Sequence, residues 1–266
     1  MHISEVQEIW DGHIASALRR LDCATINLSD THWKHLANPS GRGLWVTQAD
    51  GTAAFAKPVE RIHAFNELLA GQAAKITGHR VPLNRAEKLS DDLFVLVSPV
   101  LGEFPQSLEQ ICRRNRHHDY EEIVSFELSD VIPFMLFMNN TDINTGALII
   151  SDQSDGSRIS YHCDFSSIQL SKVGKKDTHI RMLTENLADL WDELEFDIKL
   201  KPDVMAASVQ RIERTTDDQI RDFCAETCEA VPVDEHSVES LLPVLSSRRD
   251  QLADIIKTYL ARNSNG

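Results

Sequence analysis

The sequence lacks the features that mark several classes of protein. Nowhere in its 266 residues is there an apolar run of about 18 residues, the length that a membrane-spanning helix needs. The five cysteines are odd in number and have no Cys-x-x-Cys spacing, so a zinc cluster is not expected. Lys and Arg number 27 against 41 Asp and Glu, and the net charge of −14 argues against a nucleic-acid-binding surface. We therefore expect a soluble, cytoplasmic protein with no membrane or nucleic-acid partner.

The composition is sufficient for a large core. Apolar residues make up 42% of the chain, and its length exceeds the usual size of one core. Residues 3–21 have apolar side chains at three- and four-residue steps, which predicts an amphipathic helix added to the first domain. A small β region follows, with a candidate strand at 24–28 and then a hairpin whose turn is Asp50-Gly51.

Lys57 is predicted to close the second strand of this hairpin. A lysine in that position can extend its amine to solvent, and this is the simplest reading of the residue alone. Residues 59–76 predict a helix, however, and Glu67 lies beside its apolar face. A helix docked on the sheet by that face would bring Glu67 to Lys57, and the pair would hold the lysine ready to neutralise phosphate oxygens.

The second half of the chain has mainly helical periodicity. Residues 93–100 predict a buried strand, and the flexible connection after it places a boundary between two lobes near residues 98–104. Beyond it, helices are predicted at 179–194, at 217–230 and from about residue 237 to residue 261. The expected fold class is α+β, with a β-rich lobe at residues 1–101 and a larger helical lobe at residues 102–266.

Two aspartates stand out in the segment 132–166. An apolar, helix-like run ends at two asparagines, and Asp142 lies in the polar loop that follows. Two strand-like pieces separate this loop from Asp164, so the two carboxylates are expected to meet across a hairpin. Carboxylates in such positions hold metal ions and accept protons from hydroxyl groups. A surface hairpin with acidic turns remains the alternative, because Asn and Asp are ordinary turn residues.

The order of these elements resembles the protein-kinase-like fold, and more narrowly the short, stand-alone members of the HipA-like kinases. The resemblance covers about residues 43–260. It depends on the order of several short motifs, which are AFAKP, FNELLAGQAAKITGHRVP, NNTDINTGALII, YHCDFS and LSSRRDQLADII. The family resemblance implies a serine/threonine protein kinase that uses ATP and Mg²⁺, acts on a protein substrate and is able to have an antitoxin-like regulatory partner.

The resemblance also assigns roles to individual residues. Lys57 would contact the ATP phosphates and Glu67 would orient it. Asp142 would be the catalytic base for the substrate hydroxyl, and Asp164 would hold Mg²⁺ between the phosphates.

The glycines before the hairpin are candidates for contact with the nucleotide. Gly41 and Gly43 would let the backbone approach the phosphates, although two glycines also fit a plain loop. Ser40, directly ahead of them, is either a turn-forming serine or an autophosphorylation site in the phosphate loop.

The sequence departs from the family at the second metal ligand. The family has an asparagine five residues after the base, where this chain has Ala147, and alanine cannot bind Mg²⁺. Asn144 is the candidate to substitute for it. Ser166 stands where kinases typically have glycine. These departures leave open a pseudokinase that acts as a nucleotide-binding or protein-interaction module, and a small-molecule kinase of the antibiotic-phosphorylating kind is a third possibility.

Overall fold

The computed structural model describes residues 13, 15–27, 43–113, 120–140, 142–168, 170, 185 and 199–263. Within these ranges the strands are β1 (Ala24–Thr25), β2 (Leu44–Thr47), β3 (Ala53–Glu60), β4 (Arg85–Lys88), β5 (Leu93–Pro99), β6 (Phe104–Ser107), β7 (Leu148–Asp152) and β8 (Arg158–His162). Helical residues 15–20 precede them, and the later helices are α1 (Arg61–Thr77), α2 (Leu108–Arg113), α3 (Glu121–Met138), α4 (Pro202–Glu213), α5 (Asp217–Ala230) and α6 (Val238–Asn263). The helix predicted at 179–194, most of the one at 3–21, Ser40 and Gly41 lie outside the described residues.

The first five strands form one antiparallel sheet in the order β1-β2-β3-β5-β4. The predicted hairpin is confirmed, because β2 pairs with β3 and Gly51 at the turn has a φ of 83°. A positive φ is readily adopted only by residues such as glycine, which explains why the Asp50-Gly51 pair was a reliable signal.

Strand β3 is longer than the sequence suggested. It continues to Glu60 by pairing with β5, so Lys57 lies within the strand and the prediction that it closes the strand is wrong. The pairing of β3 with β2 ends at Ala56, which leaves Pro58 with a strand neighbour on one side. A proline is tolerated there because its missing N–H is not needed for a second ladder.

The two faces of this sheet meet different parts of the molecule. Ala54 and Ala56 of β3 belong to a small core that also contains Ala17 and Leu18 from the N-terminal helical residues. Lys57 points to the opposite face, since side chains alternate along a strand. Its partner in β5 is Leu96, which lies in the main core together with the buried face of α1. Lys57 therefore lies on the sheet face that α1 covers.

Helix α1 ends where the sequence indicated. It spans 61–77 against the predicted 59–76, and Gly78 terminates it in the left-handed conformation with a φ of 73°. Phe65 and Leu69 on its inner face are fully buried in the main core. This packing sets the position of Glu67 relative to the sheet.

The C-terminal part is mainly helical, with a second antiparallel sheet of order β6-β7-β8. Helix α3 runs through the main core and packs against α4 and α6, while α5 packs against α1 and α6. The predicted helix at 217–230 is confirmed, and α6 follows the predicted last helix closely. The sequence analysis missed β4 and β6, whose side chains are mostly polar or exposed, and it also missed α4, although Met205, Val209 and Ile212 recur there at helical spacing and are buried.

The expected α+β class is confirmed, with antiparallel sheet in a small N-terminal region and helices dominating the C-terminal part. The boundary between lobes at residues 101 and 102 stays a prediction. No helix in the part of the chain that the structure describes is long and apolar enough to cross a membrane.

Candidate active site

The loops that carry Asp142 and Asp164 are joined by a buried asparagine. Helix α3 ends at Asn139, whose φ of 57° turns the chain, and the next residue is fully buried. This residue, Asn140, accepts a hydrogen bond from the backbone N–H of Asp142 through its Oδ1 and donates one to the backbone oxygen of Asp164 through its Nδ2, each at 3.2 Å. The fold therefore brings together the two loops that the sequence predicted would face each other.

Glu67 reaches the same place from the N-terminal region. Glu67 belongs to α1 and its side chain is buried. Its Oε1 accepts a hydrogen bond of 3.2 Å from the backbone N–H of Phe165. Its Oε2 accepts one of 3.1 Å from the side-chain amide of Asn84. Helix α1 is thus attached to the residue that directly follows Asp164.

The charges of Lys57 and Asp164 both act on Glu67. Burial raises the pKa of Glu67 to about 7, while the positive charge of Lys57 lowers that pKa and the negative charge of Asp164 raises it. Burial also raises the pKa of the Cys163 thiol to about 12, and the same three charges influence it. Three of the predicted site residues, from three separate elements, therefore share one electrostatic environment around Cys163.

The backbone at Asp164 is held in an unusual conformation. Its φ is 67°, a region that residues other than glycine rarely adopt and that is found mostly where surrounding contacts enforce it. Hydrogen bonds made by the side chains of Asn66 and Ser166 hold the segment around Asp164. The buried side-chain amide of Asn66 donates hydrogen bonds to the backbone oxygens of Ser166, at 2.8 Å, and Ile168, at 3.2 Å, while the Ser166 hydroxyl donates to Oδ1 of Asp164 at 2.7 Å.

Asp142 has a different set of contacts. Its Oδ1 accepts a hydrogen bond from the side-chain amide of Asn144, and its Oδ2 accepts one from the hydroxyl of Ser167, both at 3.3 Å. Ser167 comes from the loop that carries Asp164. Side-chain contacts therefore also connect the two loops, and an exposed hydroxyl is within reach of the predicted base.

Asn144 is predicted to bind a metal ion, and its side-chain oxygen is already engaged. That oxygen accepts hydrogen bonds from the backbone N–H groups of Gly146 and Ala147, both at 3.0 Å. An amide oxygen has two lone pairs, so metal binding by Asn144 requires one of these bonds to break. Ala147 itself is buried, and its backbone oxygen accepts hydrogen bonds from Cys163. Binding of a metal by Asn144 stays a prediction.

The donor set fits a magnesium ion carried by a nucleotide. Among the described residues no group of three or more His, Cys, Asp or Glu side chains is arranged to hold a metal. Mg²⁺ is usually held by one or two carboxylates together with substrate phosphates, and it keeps several waters. Asp164 provides such a carboxylate, so the residues present suit Mg²⁺ bound with ATP better than a metal held by protein ligands alone.

Gly43 has a packing reason to be glycine. A Cβ atom at this position would lie 1.9 Å from Cζ of Phe55, so no larger residue fits while that ring keeps its place. Phe55 in turn contacts Trp45 edge to face, with ring centroids 5.1 Å apart. Contact between Gly43 and a nucleotide stays a prediction alongside this packing role.

Sequence reasoning missed four residues that shape the site, namely Asn66, Asn84, Asn140 and Ser167. Asn140 is the second of two asparagines that follow a long apolar run, so a polar amide at the end of a helix was a usable signal for it, whereas Asn66 lies inside α1 and is marked only by its position next to Glu67. Asn84 and Ser167 carry no such signal, because their roles depend on partners in other elements.

Comparison with known proteins identifies the fold. No protein-family model and no curated protein match the sequence. Among solved structures, the Helicobacter pylori proinflammatory kinase CtkA is similar with a TM-score of 0.56 at 11% identity, over 90% of this chain and 96% of that one. The chain has a protein-kinase-like fold.

Two further solved structures match at lower TM-scores. HipA, from the toxin–antitoxin system of Shewanella oneidensis MR-1 solved with HipB and operator DNA, gives 0.45 at 12% identity, over 94% of this chain and 71% of that one. A MAP kinase from Leishmania major gives 0.35 at 11% identity, over 96% and 87%. The protein-kinase-like fold expected from the sequence is confirmed by the similarity to CtkA, and these identities establish the fold alone.

Proposed function

We propose that this protein is a kinase that transfers the γ-phosphoryl group of ATP to a hydroxyl group on a protein, with Mg²⁺ as cofactor. Lys57 contacts the phosphates and Glu67 orients it. Asp142 positions the acceptor hydroxyl and accepts its proton, and Asp164 holds the metal ion. Bound Mg²⁺ supplies neutralisation of the negative charge on the β- and γ-phosphates.

One observation carries this proposal. Lys57, Glu67 and Asp164 share a single electrostatic environment, and Asn140 joins the loop of Asp164 to that of Asp142. A cation for the phosphates, a carboxylate for the metal and a second carboxylate for the acceptor are the parts that phosphoryl transfer requires. A surface hairpin with acidic turns would not need a buried glutamate or a buried asparagine to hold its two loops together.

The experiment compares three aspartate-to-asparagine variants in phosphoryl transfer from labelled ATP with Mg²⁺ or Mn²⁺. A positioned general base contributes about 100- to 10,000-fold, so Asp142→Asn should lower the rate by at least about 100-fold. Asp164→Asn should lower it at least as much. Asp155→Asn is the matched control, because Asp155 lies exposed in the turn between β7 and β8, and its rate should stay within about twofold.

Circular dichroism and melting temperature verify that all three variants are folded. Equal rates in the Asp142, Asp164 and Asp155 variants would contradict the proposal. Absence of transfer by the unmodified protein under every metal and substrate condition would do so as well.

A second function is favoured by the contacts of Asn144 and Ala147. The oxygen of Asn144 is occupied by backbone N–H groups and Ala147 is buried, so the position of the family's second metal ligand has no available donor in this structure. A module that binds nucleotide without transferring phosphate fits that arrangement. Thermal shift with ATP and Mg²⁺ separates the two functions, because stabilisation by nucleotide without phosphoryl transfer identifies the binding module.

A further inference from the structure

The hydroxyl that contacts the proposed base belongs to the chain itself. Oγ of Ser167 donates a hydrogen bond to Oδ2 of Asp142 at 3.3 Å. This is longer than the usual 2.7–2.8 Å between two oxygens, but contacts of a catalytic base are often long before the substrates are bound. Ser167 is also exposed, so a phosphate group on it has access to solvent.

The segment around Ser167 is held in place from both sides. The side-chain amide of Asn66 donates to the backbone oxygens of the two neighbouring residues, Ser166 and Ile168. The N–H of Ile168 also donates to the oxygen of Phe165 at 3.4 Å, closing a turn. Because Asn66 is buried in α1, the position of Ser167 is fixed by the core of the protein.

The neighbouring serine provides a contrast. The Ser166 hydroxyl donates to Oδ1 of Asp164, the proposed metal ligand, and Ser167 donates to Asp142, the proposed base. Two adjacent hydroxyls thus contact the two carboxylates separately. Only the Ser167 hydroxyl contacts the carboxylate proposed as the base that receives the acceptor's proton, because the carboxylate that Ser166 contacts is the one proposed to hold the metal ion.

We propose that Ser167 is an intramolecular phosphoryl acceptor. This inference rests on the function proposed above, which supplies ATP as the donor. Oγ of Ser167 forms a bond to the γ-phosphorus, the bond from that phosphorus to the bridging oxygen breaks, and its electron pair leaves with ADP. The hydroxyl proton passes to the carboxylate of Asp142. The product is a phosphoserine in the loop of Asp164.

The first experiment incubates the purified full chain with ATP and Mg²⁺ and maps phosphorylated residues by mass spectrometry. Phosphate is expected at Ser167, and Ser167→Ala should lower the phosphate incorporated per chain at least tenfold. Ser167→Thr keeps a hydroxyl at the same place and should restore incorporation at this position. Ser154→Ala is the matched control, because that serine is exposed in the β7–β8 turn, bonded to Glu103, and its loss should change nothing.

A second experiment tests whether transfer occurs within one chain. The active protein is mixed with an Asp142→Asn chain carrying a tag that shifts its mass. Phosphate on Ser167 of the active chain alone, at a rate per chain that is independent of protein concentration, supports the proposal. Phosphate on Ser167 of the tagged chain at a comparable level overturns the intramolecular step.

The outcomes separate this inference from the function on which it rests. Transfer to added dephosphorylated casein or to other residues of the chain, with Ser167 unmodified, overturns the inference and leaves the kinase function standing. No transfer to any acceptor by a chain that also fails to bind ATP overturns both.

Discussion

Helix α1 is attached to the C-terminal part of the protein by two buried polar networks that differ in how completely they are paired. At its C-terminal end lies what we call the scaffold network, made of Thr77, His79, Asp130, Ser208 and Arg211. At its middle lies the site network, made of Asn66, Glu67, Asn84, Asn140 and His162. Both consist of polar side chains in or beside the core, and only one surrounds the candidate site.

In the scaffold network, both ring nitrogens of the central residue, His79, are hydrogen-bonded. Nδ1 of His79 is hydrogen-bonded to Thr77 at 2.7 Å and its Nε2 to Ser208 at 2.8 Å, while its ring stacks on Phe134 with centroids 4.6 Å apart. Arg211 donates to the backbone oxygen of Thr77 at 3.0 Å and to Asp130 at 2.5 Å. Helices α1, α3 and α4 are thereby connected through paired groups.

The site network leaves buried atoms without partners. Oδ1 of Asn66, Oδ1 of Asn84 and both ring nitrogens of His162 have no hydrogen-bond partner among the residues that the structure describes. Each such atom costs about 1–3 kcal/mol relative to a paired one. Unsatisfied groups of this kind concentrate at functional sites, whereas structural networks are usually complete. The comparison separates a network whose central side chain is fully paired from one that holds unpaired buried atoms beside the candidate site.

The largest effect is expected from breaking the scaffold network. His79→Leu removes two hydrogen bonds and leaves Thr77 and Ser208 with fewer partners, so unfolding free energy at pH 7 should fall by about 2–4 kcal/mol. Phosphoryl transfer per folded molecule, measured well below the melting temperature, should stay within about threefold. Loss of activity in the folded variant would contradict the separation of the two networks. His63→Leu, at an exposed position of the same helix, is the control and should change stability little.

The same variant tests a pH dependence. Burial, and then the charge of Arg211, lower the pKa of His79 from 6.5 to about 3. Between these values the unfolded chain binds a proton that the folded one does not, so His79 destabilises the fold by about 1.4 kcal/mol per unit as pH falls from 6.5. The stability difference between His79→Leu and the unmodified protein should therefore shrink in that range.

An effect of opposite sign is expected in the site network. The pKa of Glu67 is raised from 4.5 to about 7, so the folded protein retains a proton that the unfolded chain has lost, and stability decreases as pH rises across that interval. Glu67→Gln removes the charge and should stabilise the protein by up to about 3 kcal/mol at pH 8, and by little at pH 4.5. The amide introduced at position 67 can donate a hydrogen bond to Oδ1 of Asn84 if the side-chain amide of Asn84 rotates so that its oxygen and nitrogen exchange places. Phosphoryl transfer should fall if Glu67 orients Lys57 as proposed, because the charge of Glu67 that acts on Lys57 is removed.

Chemical denaturation at several pH values measures this gain. Glu226→Gln, an exposed change on α5, should not reproduce it. A loss of stability at pH 8 together with unchanged phosphoryl transfer would reverse the assignment of Glu67 to the site.

The smallest effect is expected from Asn84→Ala. The hydrogen bond from Asn84 favours the ionised form of Glu67, so its removal should move the pKa of Glu67 above about 7. Stability at pH 8 should fall by about 1–2 kcal/mol. The decline of melting temperature with rising pH should then extend to higher pH. Introduced into the Glu67→Gln protein, the same change should leave the pH dependence of stability as it is in that protein. An unaltered pH profile in the Asn84→Ala single variant would refute the coupling.

Local features of the sequence predicted the elements that depend on neighbouring residues. The hairpin turn at Asp50-Gly51, the end of α1 at Gly78 and helix 217–230 follow from backbone preferences and from apolar periodicity over one or two turns. Strands β4 and β6 escaped prediction because their residues are mostly polar or exposed. They form strands because their backbones pair with those of β5 and β7, respectively. The extension of β3 past Lys57 has the same origin, since β5 continues to pair with it.

The sequence by itself determined that a lysine, a glutamate and two aspartates follow one another on a strand, a helix and two loops. Only the tertiary structure decided how they are held, because the contacts that hold them join residues far apart in the chain. Glu67 and Phe165 are 98 positions apart, and Asn66 and Ile168 are separated by 102. The periodicity of apolar residues extends over a few positions in the sequence. These hydrogen bonds form because packing in the main core places α1 against the loop of Asp164.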